Sequence, residues 1–209
     1  MRRFLLAALV GTLVLLATAP AMARHAPASA KSAKASVTAA QPAKQAPDLR
    51  VGLASGRASL IITPAGGKAT VQTGSSKTIT LAANTAAAIR WQDGAFLVGR
   101  EKLCGEVLVI RPAAKAGELS LDGRRYRGAL ELRHKGGGLT AVNIVPIDGY
   151  LRSVVPEEMP VDWPAEAIKA QSVAARSFAL ASRGRHASEG YDLCTTTHCQ
   201  LYTGTAAEK

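Results

Sequence analysis

The chain has 209 residues, of which 47% are hydrophobic and only 4% aromatic, with a formal net charge of +11. That length suits one or two small domains, and so few aromatics mean a core built mainly from Val, Leu, Ile and Ala. The basic balance points to an anionic partner such as a cell-wall polymer or lipid headgroups. Nucleic acid competes as an explanation, but the export signal described next argues against it and no recognised nucleic-acid motif is present.

Arg2 and Arg3 precede an apolar run over 4–16 broken only by Gly11 and Thr12, and Ala21 and Ala23 supply small residues for cleavage. Residues 1–23 therefore read as a signal peptide. The run falls short of the about 20 residues that span a bilayer. The alternative is an uncleaved anchor, which would be the protein's only contact with a membrane. Either way the remainder is expected in the periplasm, cell wall or extracellular space. Residues 24–47 are Ala, Lys, Pro, Ser and Gln with almost no large apolar side chains, a composition that cannot offset its ordering entropy and reads as a disordered linker.

From residue 48 the pattern changes to short alternating runs between Gly, Pro, Asn and Asp: 49–55, 58–64, 68–73, 77–82, 87–92 and 95–100. This spacing is typical of antiparallel sheets. Residues 104–112 and 118–134 continue it, with Asp122-Gly123 as a hairpin signal. Cys104 lies in an apolar run and is expected to be a buried, inert thiol. Residues 48–133 thus form a β-rich accessory region, with no clustered His, Cys or acidic groups. Gly136-Gly137-Gly138 is a flexible turn before one more strand over 139–147.

At Asp148 the period becomes helical. Asp148 is expected to N-cap a short helix over 149–155, closed by Pro156. A second helix is expected from Asp162 to about Arg183, stopping at Gly184. Ile168, Gln171, Ala174, Ala175 and Phe178 share one face, and the many alanines suggest a helix built to be buried. The fold class is α+β: a β-rich N-terminal region, then a core with a buried Ala-rich helix and a metal-pinned loop. A domain whose central helix has just been laid down would need further strands to cover it, so the chain is expected to end before its fold does. The alternative is a compact domain with a frayed C-terminus.

Two adjacent carboxylates, Glu157 and Glu158, lie between Pro156 and Pro160, followed by a helix bearing Lys169, Gln171 and Arg176. A carboxylate at a rigid bend beside a cation-bearing helix suits general acid chemistry. Downstream, Cys194, His198 and Cys199 lie in one loop, and His186 can fold back as a fourth ligand. Two thiolates and two imidazoles satisfy tetrahedral zinc. In an oxidising compartment a Cys194–Cys199 disulfide is the competing reading.

Residues 150–160, YLRSVVPEEMP, together with KAQSVAARSF over 169–178 and the YDLC and HCQLY segments over 191–194 and 198–202, resemble the SpoIID/LytB family of stage II sporulation protein D and the amidase enhancers. Three blocks in order are more specific than any one short motif. The resemblance covers about a third of the chain and implies a SpoIID/LytB-like catalytic domain over 134–209, present in its N-terminal part. It implies a lytic transglycosylase that cleaves MurNAc-GlcNAc strands lacking stem peptides, with Glu158 as the catalytic acid and Glu157 at a variable position. The alternative it carries is a non-enzymatic glycan-binding enhancer of an N-acetylmuramoyl-L-alanine amidase.

Ordinary glycosidases need two carboxylates. One suffices here, because the sugar's own 6-hydroxyl replaces water, and partial burial beside Val155 and Met159 is expected to favour Glu158 as the acid. Arg176, Lys169, Gln171, Gln200 and Tyr202 are the expected substrate-binding residues. Zinc on His186, Cys194, His198 and Cys199 is similar to the pattern of sporulation-type members and would be structural. Peptidoglycan strands are the expected partners, and the enhancer alternative adds a cell-wall amidase.

Overall fold

A computed structural model describes residues 47–74 and 77–208. The signal peptide and all but the last residue of the expected linker lie outside the described residues. The alternating runs form strands β1 (Asp48–Arg57), β2 (Ser59–Ala65), β3 (Ala69–Gln72), β4 (Ile79–Leu81), β5 (Ala87–Gln92) and β6 (Ala95–Val98). They continue as β7 (Glu101–Cys104), β8 (Val107–Pro112), β9 (Glu118–Leu121), β10 (Arg124–Arg127), β11 (Ala129–Lys135) and β12 (Gly138–Pro146). Helices α1 (Ile147–Glu158) and α2 (Ala165–Ala181) and a two-residue strand β13 (Leu193–Cys194) complete the order. The architecture is α+β and rich in β.

Among the described residues there are two sheets. One runs β13-β1-β12-β11-β8-β3-β4 and the other β10-β9-β2-β5-β6-β7. Strand periodicity sets which residues meet: Leu60 and Ile62 of β2 point inward while Ser59 and Ile61 point outward, the alternation expected of a half-buried strand. Inward residues of both sheets, such as Val51, Ile62, Ile89, Phe96, Leu108 and Leu130, form one continuous core with Tyr150 and Val154 of α1. The Asp122-Gly123 pair turns the chain between β9 and β10 with φ of 48° and 90°, the double positive φ of a two-residue hairpin loop.

Strand β1 is central to everything that follows. It pairs antiparallel with β12 on one side and parallel with β13 on the other, with Val51 opposite Leu193 and Gly52 opposite Cys194. The boundary expected at residue 133 falls inside β11, and one sheet takes strands from both sides of it. Cys104 is exposed rather than buried. The apolar run that contains it is broken by Gly105, at φ 148°, so that β7 ends before β8 begins.

The helices also differ from expectation. Asp148 does not cap α1; the cap position is Pro146, and Asp148 sits in the first turn. Pro156 lies inside the helix, which continues to Glu158. A proline in the last turn costs one intrahelical hydrogen bond, and the burial of Tyr150, Leu151, Val154 and Val155 holds the helix in place. Helix α2 begins at Ala165, not Asp162, and only Ala175 and Ala179 are fully buried. Val173 is 65% exposed and Leu180 39%. The expected burial is confined to the alanine face that meets α1, and the opposite face stays in solvent.

Candidate functional site

Because α1 extends through residue 158, Glu157 and Glu158 occupy its final turn and diverge by about 100° around the axis. Glu157 accepts a hydrogen bond from Thr203 Oγ1 at 2.7 Å. Glu158 turns to α2 and accepts one from Gln171 Nε2 at 2.6 Å. It stands at the mouth of a groove of about 220 Å³ walled by Gln171, Ala174, Ala175 and Phe178 on one side and Cys199 and Gln200 on the other. Ala174 and Ala175 leave the room that a larger side chain would fill. The burial expected for Glu158 does not occur, since its side chain is exposed. The groove is open, and the carboxylate faces whatever enters it.

Arg176 is not a partner of Glu158. It points from α2 to the start of α1 and pairs with Asp148. Both line a separate groove of about 580 Å³ floored by Leu151, Val155, Val161 and Ile168. The carboxylate proposed as a proton donor therefore lies beside a neutral amide and not beside a guanidinium. Lys169 is exposed and pairs with Glu166 at 2.7 Å.

Gln200 is 5% exposed and accepts a hydrogen bond from the Tyr150 hydroxyl at 3.2 Å. Tyr202 is 2% exposed. Its ring stacks on Tyr150 at 5.1 Å, and its hydroxyl donates to Asn143 Oδ1 at 2.7 Å. Asn143, fully buried on β12, spends its amide on the carbonyls of Arg127 and Ala129. Tyr202 is thus a core residue that ties the last loop to the sheet, outside the groove.

The loop after α2 brings His186, Cys194, His198 and Cys199 together, with one ligand atom from each lying within 4.8 Å of all the others. Cys199 Sγ is 3.5 Å from His186 Nε2 and 3.7 Å from His198 Nδ1, which is also 3.7 Å from Cys194 Sγ. Usual zinc bond lengths in a tetrahedron place N and S ligands about 3.5 Å apart and two S ligands about 3.8 Å apart. The three N–S separations fit that spacing, and the remaining pairs lie within 4.8 Å. His198 and Cys199 both face the centre because the chain turns sharply there, closed by Cys199 N donating to Thr196 O at 3.0 Å.

Electrostatics favour the ligand state at Cys194 and oppose it at Cys199, whose thiol burial pushes up. Burial pushes the Cys194 thiol up, but hydrogen bonds from Thr196 and His198 outweigh it and bring the thiol down to about 6. His186 is raised by its bond to Glu189, at 2.7 Å from Nδ1.

Strand β1 holds this loop from the side. Arg50 N donates to Asp192 Oδ2 at 3.0 Å, and Asp192 N returns a bond to Arg50 O at 2.8 Å. The Arg50 guanidinium donates to Gly190 O at 3.0 Å and makes a two-pronged pair with Glu131 at 2.7 and 3.0 Å. Gly52 is required by close approach, because a Cβ there would lie 2.5 Å from the Tyr191 ring. Neither Arg50 nor Glu131 is legible as a site residue in the sequence.

The geometry of α1, α2 and the loop coincides with the three motif blocks. Residues 135–209 match the family described as Stage II sporulation protein. Together with the similarity to an amidase enhancer, the match supports a SpoIID/LytB assignment for this part of the chain. It is 38% identical over 86 residues to an uncharacterized protein of Brachyspira hyodysenteriae, covering 41% of this chain and 23% of that one. It is 31% identical over 107 residues to the Amidase enhancer of Bacillus subtilis, covering 49% of this chain and 14% of the relative. The chain therefore spans less than a quarter of the length of these curated relatives. No solved structure matches it.

Within the SpoIID segment the motif residues divide by position. Those of Val-Val-Pro serve the α1 core, Glu158 and Gln171 meet across the groove, and the Cys-His loop closes its far wall. What the family match leaves outside is β1, the strand that carries the loop on its edge. Among the described residues no helix is long and apolar enough to cross a membrane.

Proposed function

We propose that this is an exported peptidoglycan-processing protein and that the groove beside Glu158 cleaves glycan strands as a lytic transglycosylase. The observation that carries this reading is the single exposed carboxylate held by Gln171 at the mouth of a groove in a SpoIID segment. Glu158 in its acid form donates its proton to the glycosidic oxygen, and the C1–O bond breaks. The sugar's 6-hydroxyl then attacks C1 and gives its proton to the carboxylate, which restores the acid. No water is consumed, so no second carboxylate is required, in contrast to ordinary glycosidases. Gln171 orients the carboxylate without placing a charge beside it, and Gln200 borders the same space.

His186, Cys194, His198 and Cys199 would hold zinc, and four N and S ligands leave no position for an activated water. When bound, the ion would supply structure, locking the loop that forms the far wall.

The second reading is a glycan-binding enhancer of a separate cell-wall amidase. It is favoured by the similarity to a relative named Amidase enhancer and by a groove open enough to bind without committing to chemistry. Glycan strands stripped of stem peptides, incubated with the exported protein and analysed by mass spectrometry, separate the two. Anhydro-ended sugars support the enzyme; strand binding without product, together with faster turnover of an added amidase, supports the enhancer.

A further inference from the structure

We propose that Glu189, held in turn by Tyr191, is the positioning carboxylate of the four-residue metal centre, orienting His186 so that Nε2 faces the metal. This rests on the zinc reading above and goes beyond it, because neither residue is a ligand.

The two nitrogens of His186 have separate partners. Nδ1 lies 2.7 Å from Glu189 Oε1, and Nε2 lies 3.5 Å from Cys199 Sγ, on the side of the cluster. A carboxylate can only accept at Nδ1 when His186 is neutral and Glu189 ionised, so the proton is kept on Nδ1 and the lone pair on Nε2. That is the tautomer a metal needs. A carboxylate behind a ligating imidazole also raises its basicity, and outer partners of this kind contribute strongly to metal affinity.

Glu189 is exposed, so the bond needs support to persist. Tyr191 provides it, donating its hydroxyl to Glu189 Oε2 while its ring stacks against His186 with centroids 5.1 Å apart. The same ring rests on Gly52 of β1, where a Cβ would collide with it. The backbone fixes the spacing: Glu189 N and Tyr191 N both donate to His186 O, and Gly190 takes φ of 96° between them. His186, Glu189 and Tyr191 therefore form a closed unit seated on the sheet.

The test uses the full chain with Glu189→Ala, Glu189→Gln and Tyr191→Phe. Zinc affinity is read by competition with a chromophoric chelator. The His186 tautomer is read in metal-free protein by long-range proton–nitrogen NMR in mildly alkaline buffer. Wild type is expected to bind one zinc and to show the Nδ1–H tautomer. Glu189→Ala should weaken zinc about 10–100-fold and shift His186 toward Nε2–H, with the metal-free melting temperature unchanged. Glu189→Gln keeps an acceptor and should recover part of the affinity. Tyr191→Phe should fall between wild type and Glu189→Ala.

Zinc affinity within twofold of wild type in Glu189→Ala, or an unchanged tautomer, overturns the positioning role and leaves the metal reading standing. Absence of zinc from wild type, with a Cys194–Cys199 disulfide in its peptide map, overturns both.

Discussion

Replacing Arg50 with Met keeps the length of the side chain while removing its charge. The change strips Glu131 of a two-pronged partner and frees Gly190 O from the guanidinium. Glu131 has only 7% of its side chain exposed, and its remaining partner is Arg133. Hydrogen bonds to charged groups contribute about 1.5–3 kcal/mol each. The Arg50 side chain is 30% exposed, so the lower end applies, giving a loss of about 4.5 kcal/mol over the two bonds to Glu131 and that to Gly190. For a chain of this size that corresponds to a melting temperature about 9–18 °C lower.

Thermal melts with a chelator present keep metal linkage out of the comparison. The double variant R50M/E131M should recover much of the loss, because an apolar pair in place of a partly buried ion pair is close to neutral. A single variant within about 0.5 kcal/mol of wild type would refute the view that β1 clamps the Cys-His loop through this pair. So would a double variant no more stable than R50M.

Other outcomes follow from the same geometry. Burial pushes the Glu131 carboxyl up, but its bonds to Arg50 and Arg133 outweigh this and hold it below the usual 4.5. Its contribution is therefore present above about pH 4.5 and lost as pH falls through the lowered value; acid titration of wild type against Glu131→Gln should show wild type losing its advantage only in that acid range. Tyr202→Phe should cost about 1–2 kcal/mol by leaving Asn143 Oδ1 without its donor, with glycan affinity unchanged in a strand pull-down, since the ring lies in the core. Removing residues 48–133 takes away β1 and its pairing with β12 and β13, so the remaining 134–209 should lose its near-ultraviolet circular dichroism; a folded fragment would mark those residues as a separable accessory region.

Much of the fold was legible in the sequence because short strands between turn residues carry a period-two pattern that survives without context, as in Leu60 and Ile62. The Asp122-Gly123 hairpin likewise depends only on local φ. That His186, Cys194, His198 and Cys199 gather in one cluster was legible from residue type and spacing. The helix ends could not: local preference puts Asp148 at the cap and ends α1 at Pro156, whereas with Val154 and Val155 buried the helix runs on to Glu158. The difference matters for the site, since the extra turn sends Glu157 and Glu158 in different directions.

Arg176 and Tyr202 carry groups that suit a sugar, and tertiary contacts give one to Asp148 and the other to Asn143. Glu189 carried a faint signal, three residues after His186. Its role depends on the tight turn through Gly190 and on Gly52, 138 positions earlier than that turn, which no local pattern discloses.

We assign the proton in glycan cleavage to Glu158 and not to its neighbour. Mass spectrometry of denuded glycan strands after incubation with wild type, Glu157→Gln and Glu158→Gln separates the two, with circular dichroism confirming that all three are folded. Anhydro-ended products are expected from wild type and Glu157→Gln and none from Glu158→Gln. Equal product from Glu158→Gln, or loss confined to Glu157→Gln, would overturn the assignment.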